Sequence, residues 1–415
     1  MSEAQAESPP LRRKLGGFLK TLFAIGLLGW VAWGLPWSDT LRYVADPERP
    51  DDVLAVPGEI VGGWREDAVQ FEFGPDADLG PGWPAEARAA AVSGAALAVV
   101  RRADDAAGLE WRPGMPRVFL DLDLEGLLAA FAALGLGLVF GVTRWWRLLA
   151  LAGCPSTWRN TLRLSSLGLF FNLIFPGITG GDVPKAVLVV REHPERRADA
   201  LATVLLDRMV GVWALVFLAT AVIWLGGEEF GVLKLPSAGA LIAGTVGLYL
   251  VLVPGPRRAL GVDRLLERLP QGKRLKKLEV AAGVYRGRPG ELALSIVLSL
   301  GNHIAVVAAT FAIGRAFGDD LGFLAYVGIV PVANLISAVP ISPGGWGVGE
   351  WAYGTLFALM GSAAAIGVAI SVTYRLCTVA LGLLGGLFLL APGGRQTRRE
   401  ALEASRDGEE SAGAD

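Results

Sequence analysis

Six charged side chains stand inside or beside strongly apolar runs: Asp182, Lys185, Asp207, Arg208, Glu350 and Arg375. Charge in such surroundings is expensive and marks either a pathway or a pair. The Arg208 guanidinium suits bidentate contact with a phosphate. Asp207 equally suits a structural ion pair with one of the neighbouring arginines. Arg375, near the middle of the last apolar run, needs a partner, and Glu350 is the natural one. That pair is either a fixed brace or a switch opened by an anionic headgroup, the brace being the more conservative reading. Asn172 and Lys185 flank a glycine-proline break and suit phosphate or sugar hydroxyls, although Lys185 also reads as a side chain snorkelling to an interface.

Other chemistries find less support. His303, beside Asn302, reads as a proton-relay group or as a buried histidine bonded to a neighbouring helix. Asp121-Leu-Asp123 mimics a metal-nucleotide motif, but alternation of Leu120, Leu122 and Leu124 in a short strand explains it better. Phosphate-binding lysine loops, dinucleotide loops and nucleophile elbows do not occur. The only histidines are His193 and His303, and Cys154 and Cys377 lie in unrelated apolar contexts, so neither a metal, a cofactor nor a disulfide framework is expected.

The elements that must position these residues are membrane helices. Of 415 residues, 53% are hydrophobic and 19% charged, too apolar for an ordinary soluble chain. The apolar residues gather into runs near the ~20 residues that cross a bilayer. Spans are expected at Leu22–Trp37, Leu124–Leu151, Ala200–Leu225, Ser237–Val253, Leu292–Phe317 and Ala364–Leu390. The first, preceded by Arg12, Arg13, Lys14 and Lys20, reads as an uncleaved anchor rather than a cleaved signal peptide. Basic residues stay cytoplasmic, which puts both termini inside, in a multi-pass protein of the cell (inner or plasma) membrane. Arg144-Trp145-Trp146-Arg147 reads as a cytoplasmic interface belt. The stretch 255–290 holds ten Lys/Arg against three Asp/Glu, which suits an amphipathic helix on anionic headgroups or simply a positive-inside signal.

Between the first two spans, Ser38–Leu120 carries 15 acidic and 8 basic residues, fitting an extracytoplasmic insert. Alternation at Val69, Phe71 and Phe73 predicts mixed β structure, with one helix near Ala85–Val100. The expected domains are 1–37, the insert 38–120, a transmembrane domain 121–391 and a disordered tail 392–415.

Two apolar stretches are interrupted. The first, from Leu164, breaks at Pro176 to Gly180-Gly181-Asp182 with basic residues on both flanks. The second, Leu321–Leu359, breaks at Pro340-Ile-Ser-Pro343-Gly344-Gly345-Trp-Gly-Val-Gly-Glu350, with Asp319 and Asp320 on one flank and Gly361 and Ser362 on the other. Both suggest re-entrant hairpins, entering from opposite faces as an inverted repeat would give. Non-helical backbone at that depth is tolerated only where it is buried in protein or lines a wet cavity. Helices starting near Asp182 and Gly347 would turn N–H groups toward an anion. The fold class is therefore all-α and polytopic, with about six spanning helices, two oppositely oriented re-entrant hairpins and a small mixed-β insert.

At these residues the chain resembles the flippase-like transmembrane region of lysylphosphatidylglycerol synthases. The resemblance rests on Phe171-Asn-Leu-Ile-Phe-Pro-Gly-Ile-Thr-Gly-Gly-Asp182 with Lys185, Leu205-Leu-Asp-Arg208, Ile341-Ser-Pro-Gly-Gly-Trp-Gly-Val-Gly-Glu350 and Tyr374-Arg375. It covers roughly Leu124–Leu390 and implies movement of a lipid or lipid-linked intermediate between leaflets. The aminoacyltransferase domain is missing, so lipid lysylation is not expected, and the insert is a departure from the pattern. The expected function is a flippase-like transporter of an anionic lipid or lipid-linked intermediate. The alternatives are a membrane-embedded transferase on a lipid carrier, using Asp182, Asp207 and Glu350, or a scaffold of an envelope-biosynthesis complex. Partners would be the lipid and a homo-oligomer or envelope-biosynthesis protein, with no role for nucleic acid.

Overall fold

The computed structural model describes residues 37–45, 53–100 apart from 65 and 76, 107–120, 123–174, 182–225, 231–252, 287–339, 342 and 345–389, together with 26, 29 and 33. The expected first span apart from residues 26, 29, 33 and 37, the basic stretch 255–286, the tail 392–415 and the break residues Pro176, Gly180, Gly181, Pro343 and Gly344 lie outside them. The described chain is mostly helical, with one sheet near its start.

The sheet holds β1 (Asp39–Val44), β2 (Val53–Val61), β3 (Ala68–Phe73), β4 (Leu97–Val100) and β5 (Gly108–Arg112) in the order β4-β3-β2-β1-β5, every pair antiparallel. In β3, Val69 and Phe71 point into the core while their neighbours face out, the period-2 pattern of a half-buried strand. The expected helix over 85–100 is shorter: α1 (Ala85–Ser93) stops at Gly94, whose φ of 68° and N–H bond to the Ala90 carbonyl form a left-handed C-cap. The chain then returns as β4.

The buried Asp39 carboxylate ties the sheet to the helix after it. It accepts from the backbone N–H groups of Ile60 (2.9 Å) and Gly114 (2.7 Å) and from Arg117 Nε (2.7 Å). Arg117 lies on α2 (Met115–Leu120). At the described ends of the expected Leu120–Leu124 strand, Leu120 closes α2 and Leu124 opens α3 (Leu124–Leu151), while Asp121 and Leu122 lie outside the described residues. Asp123 caps α3, accepting from the N–H groups of Glu125 and Gly126 at 3.3 and 3.1 Å. That assigns Asp123 a capping role in place of a metal motif.

The remaining helices are α4 (Trp158–Ile174), α5 (Asp182–Glu192), α6 (Arg197–Leu225), α7 (Gly231–Leu252), α8 (Pro289–Ala316), α9 (Phe323–Ser337), α10 (Val348–Leu359) and α11 (Ala364–Gly386). Four apolar stretches among the described residues are long enough to cross a membrane: 124–151, 194–225, 289–316 and 364–389. Large apolar side chains such as Leu136, Val212, Val297 and Leu376 face outward from them, as lipid-facing positions do. α3 packs closely on α8, where Gly126 meets Ala312 and Ala316 and Gly137 meets Asn302 and Ala305. Small residues let backbones approach in a bundle that gains little from hydrophobic burial.

Each interrupted stretch has its two helices tied at their distal ends. Glu192, at the end of α5, accepts from Arg163 (2.9 Å) and Asn160 (2.7 Å) near the start of α4. Asp319, before α9, accepts from Ser362, after α10, and from Tyr326 Oη at 2.6 Å.

Candidate functional site

The charged cluster forms where α3, α5, α6 and α8 meet. Asp207 on α6 is paired through one oxygen with Arg144 Nε on α3 at 2.7 Å. Its other oxygen faces Lys185 Nζ on α5 at 3.4 Å. Arg144 also donates to Ser299 Oγ on α8 at 2.5 Å. Lys185 lies 3.8 Å over the Trp145 ring, a cation–π contact, and the Trp145 indole is fixed by Thr203 Oγ1 at 3.1 Å. Arg144 is therefore doubly held, whereas Lys185 has one long carboxylate contact and an aromatic face. Beside them, Arg208 pairs with Asp182 at 2.8 Å, in a more open position with side-chain exposures of 47% and 31%.

Asp182, Lys185, Asp207 and Arg208 line a cavity of about 360 Å³ together with Asn172, Asn302 and Tyr374. Its remaining wall is mainly apolar or glycine surface, including Gly137, Gly141, Gly168, Leu169 and Leu381, with the hydroxyls of Ser165 and Thr378. With ordinary charges, Arg144, Lys185 and Arg208 outnumber Asp207 and Asp182 by one. Asp182 and Lys185 occupy the first turn of α5, where the helix dipole adds further positive potential. An anionic group beside a short apolar tail matches these surroundings.

Glu350 and Arg375 form a separate construction. Glu350 is 1% exposed. Its carboxylate pairs with Arg375 Nε at 2.6 Å and accepts from Gly347 N–H at 2.6 Å and Ser371 Oγ at 3.2 Å. Arg375 also donates to the Gly345 carbonyl at 2.8 Å and lies over the Trp346 ring. Gly345 and Gly347 take φ of 71° and 81°, a region open to glycine but strained for other residues. A Cβ at Gly349 would run into the Arg375 guanidinium. Together these contacts bind the N-terminus of α10 to α11.

The expected carboxylates thus divide, with Asp182 and Asp207 at the cavity and Glu350 in the α10–α11 junction. His303 takes the quieter of its two expected roles, its Nε2 lying 3.0 Å from the Gly211 carbonyl on α6. Arg144 is the residue that sequence reasoning missed as a candidate. Taken as part of an interface belt, it is 8% exposed, and Trp145 is fully buried. The missed signal is spacing: Ala130, Leu134, Gly137, Arg144 and Leu148 form one buried stripe along α3 at helical period. Among the described residues, no cluster of three or more His, Cys, Asp or Glu is arranged to hold a metal, and both cysteines are buried thiols.

The fold and site define a polytopic, mainly helical membrane protein with a charged pocket among its spanning helices. Residues 90–386 match the model of the family described as lysylphosphatidylglycerol synthase TM region, and the chain belongs to that family. The match begins within α1, upstream of the helical bundle. No curated protein matches the chain. The family makes this a membrane protein and ties it to anionic-lipid metabolism or transport.

Proposed function

We propose that the protein moves an anionic lipid, or a lipid-linked intermediate with an anionic headgroup, between the leaflets of the cell membrane. The observation that carries the reading is the Lys185 ammonium, lightly held at the wall of a half-apolar cavity beside the accessible Arg208. A phosphate there replaces one long carboxylate contact of Lys185 and draws on an ion pair already partly in water. Arg144 remains on Asp207 throughout, so the cluster keeps its shape while its charge partners change.

In this reading the two interrupted stretches are re-entrant hairpins of opposite orientation. Support comes from their tied ends, Glu192 with Arg163 and Asp319 with Ser362. The insert lies outside the cytoplasm, and the termini and the basic stretch 255–290 lie on the cytoplasmic side, against anionic headgroups. Glu350 and Arg375 act as the fixed brace of the second hairpin. Asn172 and Tyr374 complete the headgroup pocket.

The test is transbilayer exchange of a fluorescent phosphatidylglycerol in proteoliposomes. Exchange above protein-free vesicles that falls in Arg208→Ala and Lys185→Ala supports the proposal. Exchange equal to that of protein-free vesicles rejects it.

A further inference from the structure

A second cavity, of about 520 Å³, lies where α5 turns back into α6. The turn is a single 3₁₀ helix, Pro194–Arg196, with proline at its start, where a fixed φ and a missing N–H are tolerated. Leu188 and Val189 of α5 point into the core, whereas Ala186, Val187 and Val190 lie half-buried on its other face. With Pro194 and the half-buried Leu201 of α6, they form the apolar wall of the cavity. The volume falls within the roughly 300–1,000 Å³ of small-molecule sites.

Among the described residues, the charged groups of the lining are two guanidiniums, with no carboxylate. Arg191 comes from the last turn of α5 and Arg197 from the first turn of α6, and both are exposed. Neighbouring acids are turned to other partners, Glu192 to Arg163 and Asn160, and Asp199 to Arg196 at 3.9 Å. Glu195, on the turn, lies outside the lining. The charge of the cavity is therefore positive, and it stands at the start of the apolar stretch 194–225, which is long enough to cross a membrane. Four residues, about 6 Å of helical rise, separate Arg191 from Val187 and Arg197 from Leu201. Both steps run away from the turn, toward the apolar end of the cavity. Basic groups at the membrane edge with apolar wall just beyond them match the order in which a phospholipid presents its phosphate and its acyl chains. A free phosphate would use the arginines alone and leave that wall uncovered.

We propose that this cavity holds a resident anionic phospholipid, its phosphate between Arg191 and Arg197 and one acyl chain along Val187, Val190 and Leu201. The site is independent of the charged cavity: it shares none of the lining residues of that pocket and is tested without any lipid movement.

The experiment uses the full chain in phosphatidylcholine nanodiscs containing phosphatidylglycerol with a photoactivatable group in one acyl chain. Crosslinked peptides are mapped by mass spectrometry. Labelling within residues 186–201 is expected, displaced by unlabelled phosphatidylglycerol but not by added phosphatidylcholine or glycerol phosphate. At a basic membrane edge each Arg is worth about 1 kcal/mol, so Arg191→Gln and Arg197→Gln should each lower labelling roughly fivefold, and the double variant by more than tenfold. Both side chains are exposed, so each single variant keeps the fold. Labelling equally strong with a phosphatidylcholine probe, or unchanged in all three variants, overturns the proposal. Displacement by glycerol phosphate also overturns it, because the acyl chain then adds nothing. Crosslinks confined to the charged cavity overturn it as well, while leaving lipid movement through that cavity supported.

Discussion

Replacing Glu350 by Ala tests whether the Glu350–Arg375 pair is a structural brace. The substitution leaves Arg375, only 16% exposed in its side chain, without its carboxylate. Two unit charges about 4 Å apart at an effective dielectric of about 20 attract by about 4 kcal/mol. Measured losses on removing one partner of a buried pair run about 3–5 kcal/mol. The Gly347 N–H also loses its acceptor, so the upper half of that range is expected. At roughly 2–4 °C per kcal/mol for chains of moderate size, the melting temperature falls by roughly 8–20 °C. The assay is thermal unfolding of the purified chain in detergent, comparing Glu350→Ala, Arg375→Ala and the double variant. Because the double variant has no orphaned charge, its loss is expected to be smaller than the sum of the two single losses. Arg375→Lys does not restore stability, since an ammonium cannot reproduce the fork that reaches Glu350 and the Gly345 carbonyl together. A Glu350→Ala protein melting within about 1 °C of the parent, or strictly additive losses, refutes the brace.

The same contacts lead to three further outcomes. Asp207→Asn leaves Arg144 buried without a counter-charge and is expected to cost about 3–5 kcal/mol, whereas Lys185→Ala, which removes a 3.4 Å contact and a cation–π face but leaves Asp207 paired with Arg144, costs less; the two melting curves decide it. Gly349→Ala forces its new methyl into the Arg375 guanidinium and lowers stability by about 1–3 kcal/mol, read in the same assay. Burial holds the Asp319 carboxyl above its ordinary value, outweighing the hydrogen bonds from Ser362 and Tyr326. A raised folded-state pKa means stability that is full below the unfolded value and is lost as pH rises through the folded one. The stability of the parent relative to Asp319→Asn should therefore increase as pH falls through that window, and a difference that is flat or reversed in pH-dependent melting contradicts it.

The bundle was legible because a run of about 20 apolar residues has few other stable states. The starts of α5 at Asp182 and of α10 after Gly347 were legible for a related reason, since glycine and proline interrupt the i→i−4 ladder wherever they cluster. The charged cluster was only half legible. Asp207 was recognisable as one end of a pair, but its partner Arg144 is 63 residues away and beside two tryptophans that mimic an interface. Only the face of α3 that turns inward distinguishes the two readings, and that face is a tertiary property. The insert was misread where local signals compete. An alanine-rich run continues past Gly94 in composition, while the chain reverses at Gly94 and pairs Leu97–Val100 with β3. Likewise three alternating leucines outweighed Asp123 as a cap, although a carboxylate just before an apolar helical run is the stronger physical signal.

Whether Lys185 carries a lipid headgroup is decided by leaflet exchange of fluorescent phosphatidylglycerol, comparing the parent with Lys185→Gln in proteoliposomes matched for protein content and melting temperature. A charge-assisted contact to phosphate is worth about 1.5–3 kcal/mol. Exchange is therefore expected to fall roughly 10- to 100-fold in Lys185→Gln, with the fold unchanged. Equal exchange by both proteins, or a parent no faster than empty vesicles, contradicts a lipid path through the charged cavity.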